Sequence, residues 1–404
     1  MKILVITQYF YPELFRVNTL CRELAARGHD VTVLTGYPQY PQCKIYDGYG
    51  FNIPYDKEWH GVKIERIKMR PRGKTPFGLL LNCWSFVKEG KKWVKRCGEK
   101  FDVMYVFGIS PVTAALPAVA YKEKFGTPLL FNVQDLWPEV VEATLGVHNR
   151  LIISKINKIV NKIYMASDRV LCSSRGYAKN ISGRGIAGEK LVFWPQFCLQ
   201  PDLDGMTKPE IYSENTFNIV FTGNIGGSQG LDTLIDAAVR LKSEKIKWYL
   251  VGDGRAKESL QKAVTRNGLD DNVIFVGKVS ESEANRYVHF ADCAYLSFKK
   301  EALFDITIPA KLQTYLACGT PILAAADGES AEIIREAGCG IAVPPAEPDK
   351  LAEAAREMAG LSAEQLSDMG DKARRHYREY YTVDLLLEQL EKIMKEVCHE
   401  NTAN

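Results

Sequence analysis

Several chemistries are missing their usual signatures in this chain. No two cysteines stand at C-x-x-C spacing; the ten present are scattered, and some, such as Cys172 and Cys293, sit in apolar runs. That usage fits reduced thiols and argues against a zinc site or a disulfide framework. The six histidines are nowhere closely paired, so no metal cluster is expected. No run approaches the roughly 20 apolar residues that cross a bilayer. Met1-Lys-Ile-Leu-Val-Ile-Thr7 is too short and wrongly flanked for a signal peptide and reads as a first strand. No Walker G-K-[ST] occurs, and Gly223-Asn-Ile-Gly226 lacks the spacing of a dinucleotide fingerprint.

What is present describes a soluble α/β protein. At 404 residues the chain exceeds one ordinary core, so two domains are expected. The net charge of +3 is unevenly spread. Residues 57–100 hold thirteen Lys and Arg against Glu58, Glu65, Glu89 and Glu99, leaving the remainder net negative. A basic region within a near-neutral protein implies an anionic partner on that side; nothing in the pattern calls for nucleic acid.

In the first half, strand Lys2–Thr7, a helix to Ala26 and strand Val31–Thr35 form a β-α-β unit. Such units build a parallel sheet with ligands at the carboxyl ends of the strands. Glu13 and Arg16 lie in the first such loop and are candidates to touch an acceptor, against the alternative of solvated loop charges. Residues 36–60, rich in Tyr, Pro and Gly, read as a long loop over the sheet edge. The segment Lys74–Arg96 reads as a helix with Leu80, Trp84, Val87 and Val94 on one face, Lys88, Lys92 and Lys95 beside them, and Phe86 and Trp93 on a third. Aromatic and basic residues on one helix suit a surface of anionic lipid; the alternative is a core-facing helix with a solvated basic side. Asp135 follows the buried strand Pro128–Val133. There a carboxylate points into a ligand crevice, unless it merely caps the next helix.

Residues 198–216 are polar and irregular and read as the linker. The pattern then restarts. Two glycine-rich strand-to-helix turns follow, Gly223-Asn-Ile-Gly226 running on to Gln229-Gly230, and Gly252-Asp-Gly254-Arg255. A third candidate is the stretch from Phe304 to Ala324. Pro309 suits a first helical position, Thr307 a cap, Lys311 adds charge in the first turn, and Gly319 ends the helix. Three such turns on one sheet edge point to a ligand carrying a diphosphate. Asp384–Val397 is an amphipathic helix expected to cross back and brace the first domain.

These motifs together resemble glycosyltransferase family 4 of the GT-B fold, in its bacterial O-antigen and capsule branch, fucosamine transferases included. They are Tyr11-Pro-Glu13, Leu24-Ala-Ala-Arg-Gly-His-Asp-Val-Thr-Val33, Asp135-Leu-Trp-Pro138, Gly223-Asn-Ile-Gly226, Val251-Gly-Asp-Gly254 and Ile308-Pro-Ala-Lys-Leu-Gln313. The resemblance implies two Rossmann-like domains facing a cleft: an acceptor domain over 1–200, with helix 380–400 packed back on it, and a donor domain over 205–378. It implies metal-independent transfer, with retention and no cofactor, from a nucleotide diphosphosugar, UDP before GDP, to a polyprenyl-diphosphate-linked saccharide. The enzyme would work in the cytoplasm, peripheral to the inner face of a bacterial membrane. Asp135, Asp305 and Lys311 would act at the reacting centre. Gly223, Asn224, Gly226, Gln229, Gly252, Gly254, Arg255, Ile308, Lys311 and Gln313 would hold the donor. Family 4 usually carries E-x7-E where this chain has Asp305 and Gln313, and an Arg and a Lys where it has Asn224 and Gln229. Lys311, Arg255 and the helix dipole must then offset two missing cations. A sugar-nucleotide 2-epimerase of the same architecture, or a non-catalytic nucleotide-sugar-binding subunit, are the alternatives.

Overall fold

Runs such as Ile3-Leu-Val-Ile6 and Val103-Met-Tyr-Val-Phe107, apolar on both faces, must be covered by helices on both sides. Linked through helical segments, they have one economical solution, the parallel sheet with right-handed crossovers. The computed structural model describes residues 1–73 and 75–403 and has two such sheets. Lys74, where the basic helix was expected to begin, lies outside the described residues.

The first compact unit comprises Met1–Ser173, Tyr177–Trp194 and the chain from Leu387 on. Its elements are β1 (Lys2–Ile6), α1 (Arg16–Ala26), β2 (Asp30–Thr35), β3 (Glu58–Trp59), β4 (Val62–Arg66), α2 (Pro76–Arg96), β5 (Val103–Gly108), α3 (Leu116–Phe125), β6 (Leu129–Val133), α4 (Glu139–Leu145), α5 (Arg150–Ala166), β7 (Arg169–Cys172), α6 (Arg175–Ser182) and β8 (Leu191–Phe193). The strand order is β3-β4-β2-β1-β5-β6-β7-β8, parallel but for the β3–β4 pair. The order reverses beside β1, which pairs with both β2 and β5. Ligand crevices of open α/β sheets open at such a reversal.

The second unit holds 174–176 and Pro195–Leu386. It runs β9 (Phe217–Asn224), α7 (Asp232–Arg240), β10 (Ile246–Asp253), α8 (Lys257–Asn267), β11 (Val273–Gly277), α9 (Glu281–Phe290), β12 (Cys293–Ser297), α10 (Ala302–Asp305), α11 (Ala310–Cys318), β13 (Ile322–Ala325), α12 (Gly328–Ala337), β14 (Gly340–Val343), α13 (Pro348–Ala359) and α14 (Ala363–Tyr380). Its sheet, β11-β10-β9-β12-β13-β14, is wholly parallel and reverses at β9. The core joins Phe221, Trp248, Leu250 and Tyr295 of the strands to Leu234 of α7 and to Leu351 and Met358 of α13. A last helix, α15 (Val383–Ala403), brings Glu391 against His29 and Arg27 of the first unit.

Two expectations change. Residues 198–216 are not a free linker: the second unit begins ahead of them, at Pro195. The buried Tyr212 pins the stretch, its hydroxyl donating to the Tyr287 carbonyl at 2.7 Å. Proline and glycine signalled irregular backbone there, and one aromatic made it part of a core. In α2 the apolar face was misplaced: Phe86 and Val94 are buried, but Leu80 and Trp84 are exposed.

Candidate functional site

At the second sheet's reversal, β9 and β10 run in register to their last residues, Gly252 opposite Gly223 and Asp253 opposite Asn224. Both glycines have positive φ, +121° and +149°. A Cβ on Gly252 would collide with the Gly223 carbonyl, so only glycine lets the two turns approach this closely. Beyond them opens a pocket of about 720 Å³ lined by Gly223, Asn224, Gly252, Asp253, Gly254 and Arg255, and also by Lys278, Val279, Ser280 and Glu281. The second group was not anticipated. It follows β11, and the one cue was that a βα loop beside β10 must share its edge. Ser280 caps α9 by accepting from Glu283 N at 3.1 Å, and thereby fixes that wall.

Lys311 lies at the same edge. Helix α11 is fastened to β9 by the buried Tyr315, whose hydroxyl accepts from Thr222 N at 3.0 Å and donates to the Tyr295 carbonyl. One turn earlier, the Lys311 amine sits 3.9 Å above the Phe221 ring centroid and donates to Gln229 Oε1. It lies near enough to Gly223 that a Cβ there would be 3.9 Å from Nζ. Part of the residue's surface remains open, but the amine is enclosed, and this desolvation lowers its pKa to about 7. The position where a family cation was expected, Gln229, thus receives one from a different element.

The rest of that motif departs from expectation. Pro309 is the cap residue, not the first helical one, and α11 starts at Ala310 with no side-chain cap. The Thr307 hydroxyl donates instead to the Leu303 carbonyl at 2.6 Å. Gly319 ends the helix at φ +69°, as its sequence position suggested. Gln313 is fully buried; its amide, oriented to satisfy its surroundings, donates to the Pro309 and Ala310 carbonyls and so turns onto its own helix. Ile308 is buried too. Asp305 closes α10, and burial, aided by nearby Asp327 and opposed by Lys300, raises its carboxyl above the usual range. Asp305, Gly226, Gln229, Ile308, Lys311 and Gln313 stand outside the lining of the glycine-turn pocket. Asp202 and Asp204 have a metal-binding D-x-D spacing, but they are exposed, lie outside the pocket, and the Asp204 N–H is already bonded to Asp202 at 3.4 Å.

In the first unit Asp135 does not cap α4, whose cap residue is Pro138. Its Oδ2 accepts from Ser110 N at 2.8 Å and Ser110 Oγ at 2.7 Å, and the Trp137 indole donates to the same hydroxyl at 3.2 Å. A carboxylate is so held between the carboxyl ends of β5 and β6. Glu139 pairs with Arg184 and accepts from Asn180. Glu13 is buried at 2% exposure and faces inward. Oε1 accepts from Gln39 N at 2.8 Å and Tyr40 N at 2.7 Å, and Oε2 from Phe10 N at 3.2 Å. It therefore clasps the loop after β1 to the loop after β2. Desolvation pushes its carboxyl up to about 7, against the pull of these donors and of Arg66. Arg16 opens α1 and is half-buried.

Known proteins share this architecture. Residues 15–196 match the model of the glycosyl transferase 4-like domain, and residues 216–360 that of glycosyl transferases group 1. The chain is 26% identical over 337 residues to WcaI of Escherichia coli K12, a protein named as a colanic acid biosynthesis glycosyl transferase, covering 79% of this chain and 82% of that one. It is 23% identical over 308 residues to WbjE of Pseudomonas aeruginosa, a protein named as a glycosyltransferase, covering 73% and 74%. Among solved structures, the sucrose-phosphate synthase of Thermosynechococcus elongatus superposes with a TM-score of 0.76 at 16% identity, over 98% of both chains. HepE of Anabaena, solved with UDP, does so at 0.68 and 16% identity, over 98% of this chain and 100% of that one. The fold is GT-B, and the chain is homologous to bacterial glycosyltransferases.

Proposed function

We propose that this glycosyltransferase, a 4-like domain followed by a group 1 domain, moves a sugar from a nucleotide diphosphosugar to a lipid-linked saccharide in cell-surface polysaccharide synthesis. The observation that carries the reading is the Lys311 amine, enclosed over the Gly223 turn and beside an open pocket at the sheet reversal. A diphosphate seated there would meet backbone N–H groups and one poorly hydrated cation, and the leaving-group charge that develops on transfer is what such a seat stabilises. The dianion would also draw a proton onto Lys311. Arg255, at the pocket's open side, adds a second positive charge.

Asp135, oriented by Ser110, is the carboxylate we assign to the oxocarbenium-like centre, with Asp305 against the donor sugar. The family resemblance supports retention, no metal, and an N-acetylated amino sugar as donor, including fucosamine. UDP as the nucleotide is supported by HepE, solved with UDP and with UDP-glucose. O-antigen or capsule as the product is supported by the relative named for colanic acid, and a polyprenyl-diphosphate-linked acceptor would hold the enzyme at the inner face of the membrane. Calorimetric titration with UDP and GDP, then a donor panel on a polyprenyl-linked disaccharide, tests the reading. Tight UDP binding with acceptor-dependent transfer is expected. Turnover of donor without acceptor, or no nucleotide binding at all, overturns it.

A further inference from the structure

Helix α2 packs inward through Asn82, Phe86, Gly90 and Val94. A Cβ on Gly90 would lie 2.6 Å from Pro117 Cγ, so this side meets α3 directly. At 100° per residue the opposite side carries Phe77, Leu80, Trp84, Lys88, Lys91 and Lys95 in one stripe. Phe77 is 69% exposed, Leu80 54% and Trp84 69%, and the three lysines are exposed as well. Three large apolar side chains left together in water are not an ordinary solvated face.

We propose that this stripe seats the first unit on an anionic lipid surface, with Phe77, Leu80 and Trp84 entering the boundary between headgroups and acyl chains and Lys88, Lys91 and Lys95 meeting lipid phosphates. The proposal deepens the reading of a lipid-linked acceptor and rests on it. Charge complementarity names the occupant. Of the positive charges in residues 57–100, Arg66 is buried among tyrosines, Lys63 pairs with Asp30 and Lys92 with Glu89. Among the described residues the lysines of the stripe form no ion pair, which leaves them for an external anion.

Apolar and basic residues are segregated along the helix axis, which tilts α2 so that its first turns sit deepest. Those turns lie at the carboxyl edge of the sheet. Asn82 accepts from Gln8, which follows β1, and donates to Gln39, which follows β2. Helix α5, linked to α2 through α3, repeats the order: Leu151 and Ile152 are exposed in its first turn, with Lys155 and Lys158 exposed behind. The same edge that offers Asp135 and the loop after β1 would then face the lipid. A second copy fits poorly, because two-fold pairing sets lysine against lysine or lysine against the apolar turns. No helix among the described residues is long and apolar enough to cross a membrane, so this contact is interfacial.

Sedimentation of the full chain with phosphatidylcholine vesicles, and with mixed phosphatidylcholine–phosphatidylglycerol vesicles, tests the proposal. Binding to the mixed vesicles that high salt reverses is expected. Lys88→Gln, Lys91→Gln and Lys95→Gln together should weaken it roughly a hundredfold. Phe77→Ser, Leu80→Ser and Trp84→Ser should weaken it at least tenfold, with thermal unfolding unchanged because all three are exposed. Wild type that stays in the supernatant at low salt, or a triple variant that sediments like wild type, overturns the proposal. So does a dimer in sedimentation velocity that the serine variant abolishes. UDP binding on the same preparations reports on the transferase reading separately.

Discussion

The carboxyl edges of the two sheets begin from the same plan and are filled in opposite ways. In the second unit the strands end in bare glycine turns around an open pocket, where the enclosed Lys311 amine stands beside the exposed charge of Arg255. In the first unit the edge is closed by its own loops. Tyr9 stacks on Phe15, Tyr40 leans on both, and Glu13 ties the two loops through three backbone N–H groups. Arg66 lies over the rings of Tyr49 and Tyr55 and donates to the Gly36 carbonyl. A diphosphate seat needs only backbone donors and one cation, so little has to be folded to make it. A long loop has no such economy: its polar groups need internal partners before it can present anything outward. Buried charge serves binding on one edge and stability on the other.

That contrast predicts effects of opposite kind. Lys311→Met should lower kcat/KM by about a thousandfold, a loss of roughly 4 kcal/mol in transition-state stabilisation. It should also raise the unfolding temperature by a few degrees, because an enclosed amine is replaced by an apolar chain. Calorimetry and initial rates on one preparation would separate the two effects, and a variant with a lower melting point would break the comparison.

Glu13→Ala should do the reverse. Leaving three backbone N–H groups without their acceptor costs about 3 kcal/mol and lowers the melting point by roughly 10 °C. Its titration gives a further check. The carboxyl is raised in the fold from 4.5 to about 7. Its contribution is therefore full below the unfolded value and is lost as pH rises through 7. Glu13→Gln should flatten the stability profile between those limits in a denaturant series.

Lys311 titrates with the other sign. Its pKa is lowered from 10.5 to about 7 in the fold, so it costs stability increasingly as pH falls from the first value to the second. Binding of UDP at pH 8 should take up about one proton, seen as observed enthalpies that differ between phosphate and Tris buffers. Lys311→Met should abolish that difference. The smallest effect is expected at Ser110→Ala, which removes the hydroxyl bond to Asp135 and leaves the one from the Ser110 backbone N–H. A tenfold fall in kcat with KM little changed would mark Ser110 as a positioning residue.

Much of this was readable from residue order. The alternation of buried strands and helices, the glycine turns at 223–230 and 252–254 and the stop at Gly319 all follow from local backbone rules. What escaped is of one kind. The short strand β3, helices α13 and α14, the Lys278–Glu281 wall and the inward face of α2 depend on which neighbour an element meets. Periodicity reveals that α2 has apolar residues on more than one side, but not which side is covered. Glu13 reads as an acceptor contact or a solvated loop charge until its two loops close over it.

Sequence alone therefore determined the two α/β halves and the place of the glycine turns, because strand patterning and the φ values open to glycine are local matters. Tertiary structure decided the state of each charge. Lys311 is enclosed because Tyr315 fastens α11 to β9, and Glu13 is buried because its two loops meet over it. Desolvation depends on everything within a few ångströms, and those neighbours come from distant parts of the chain.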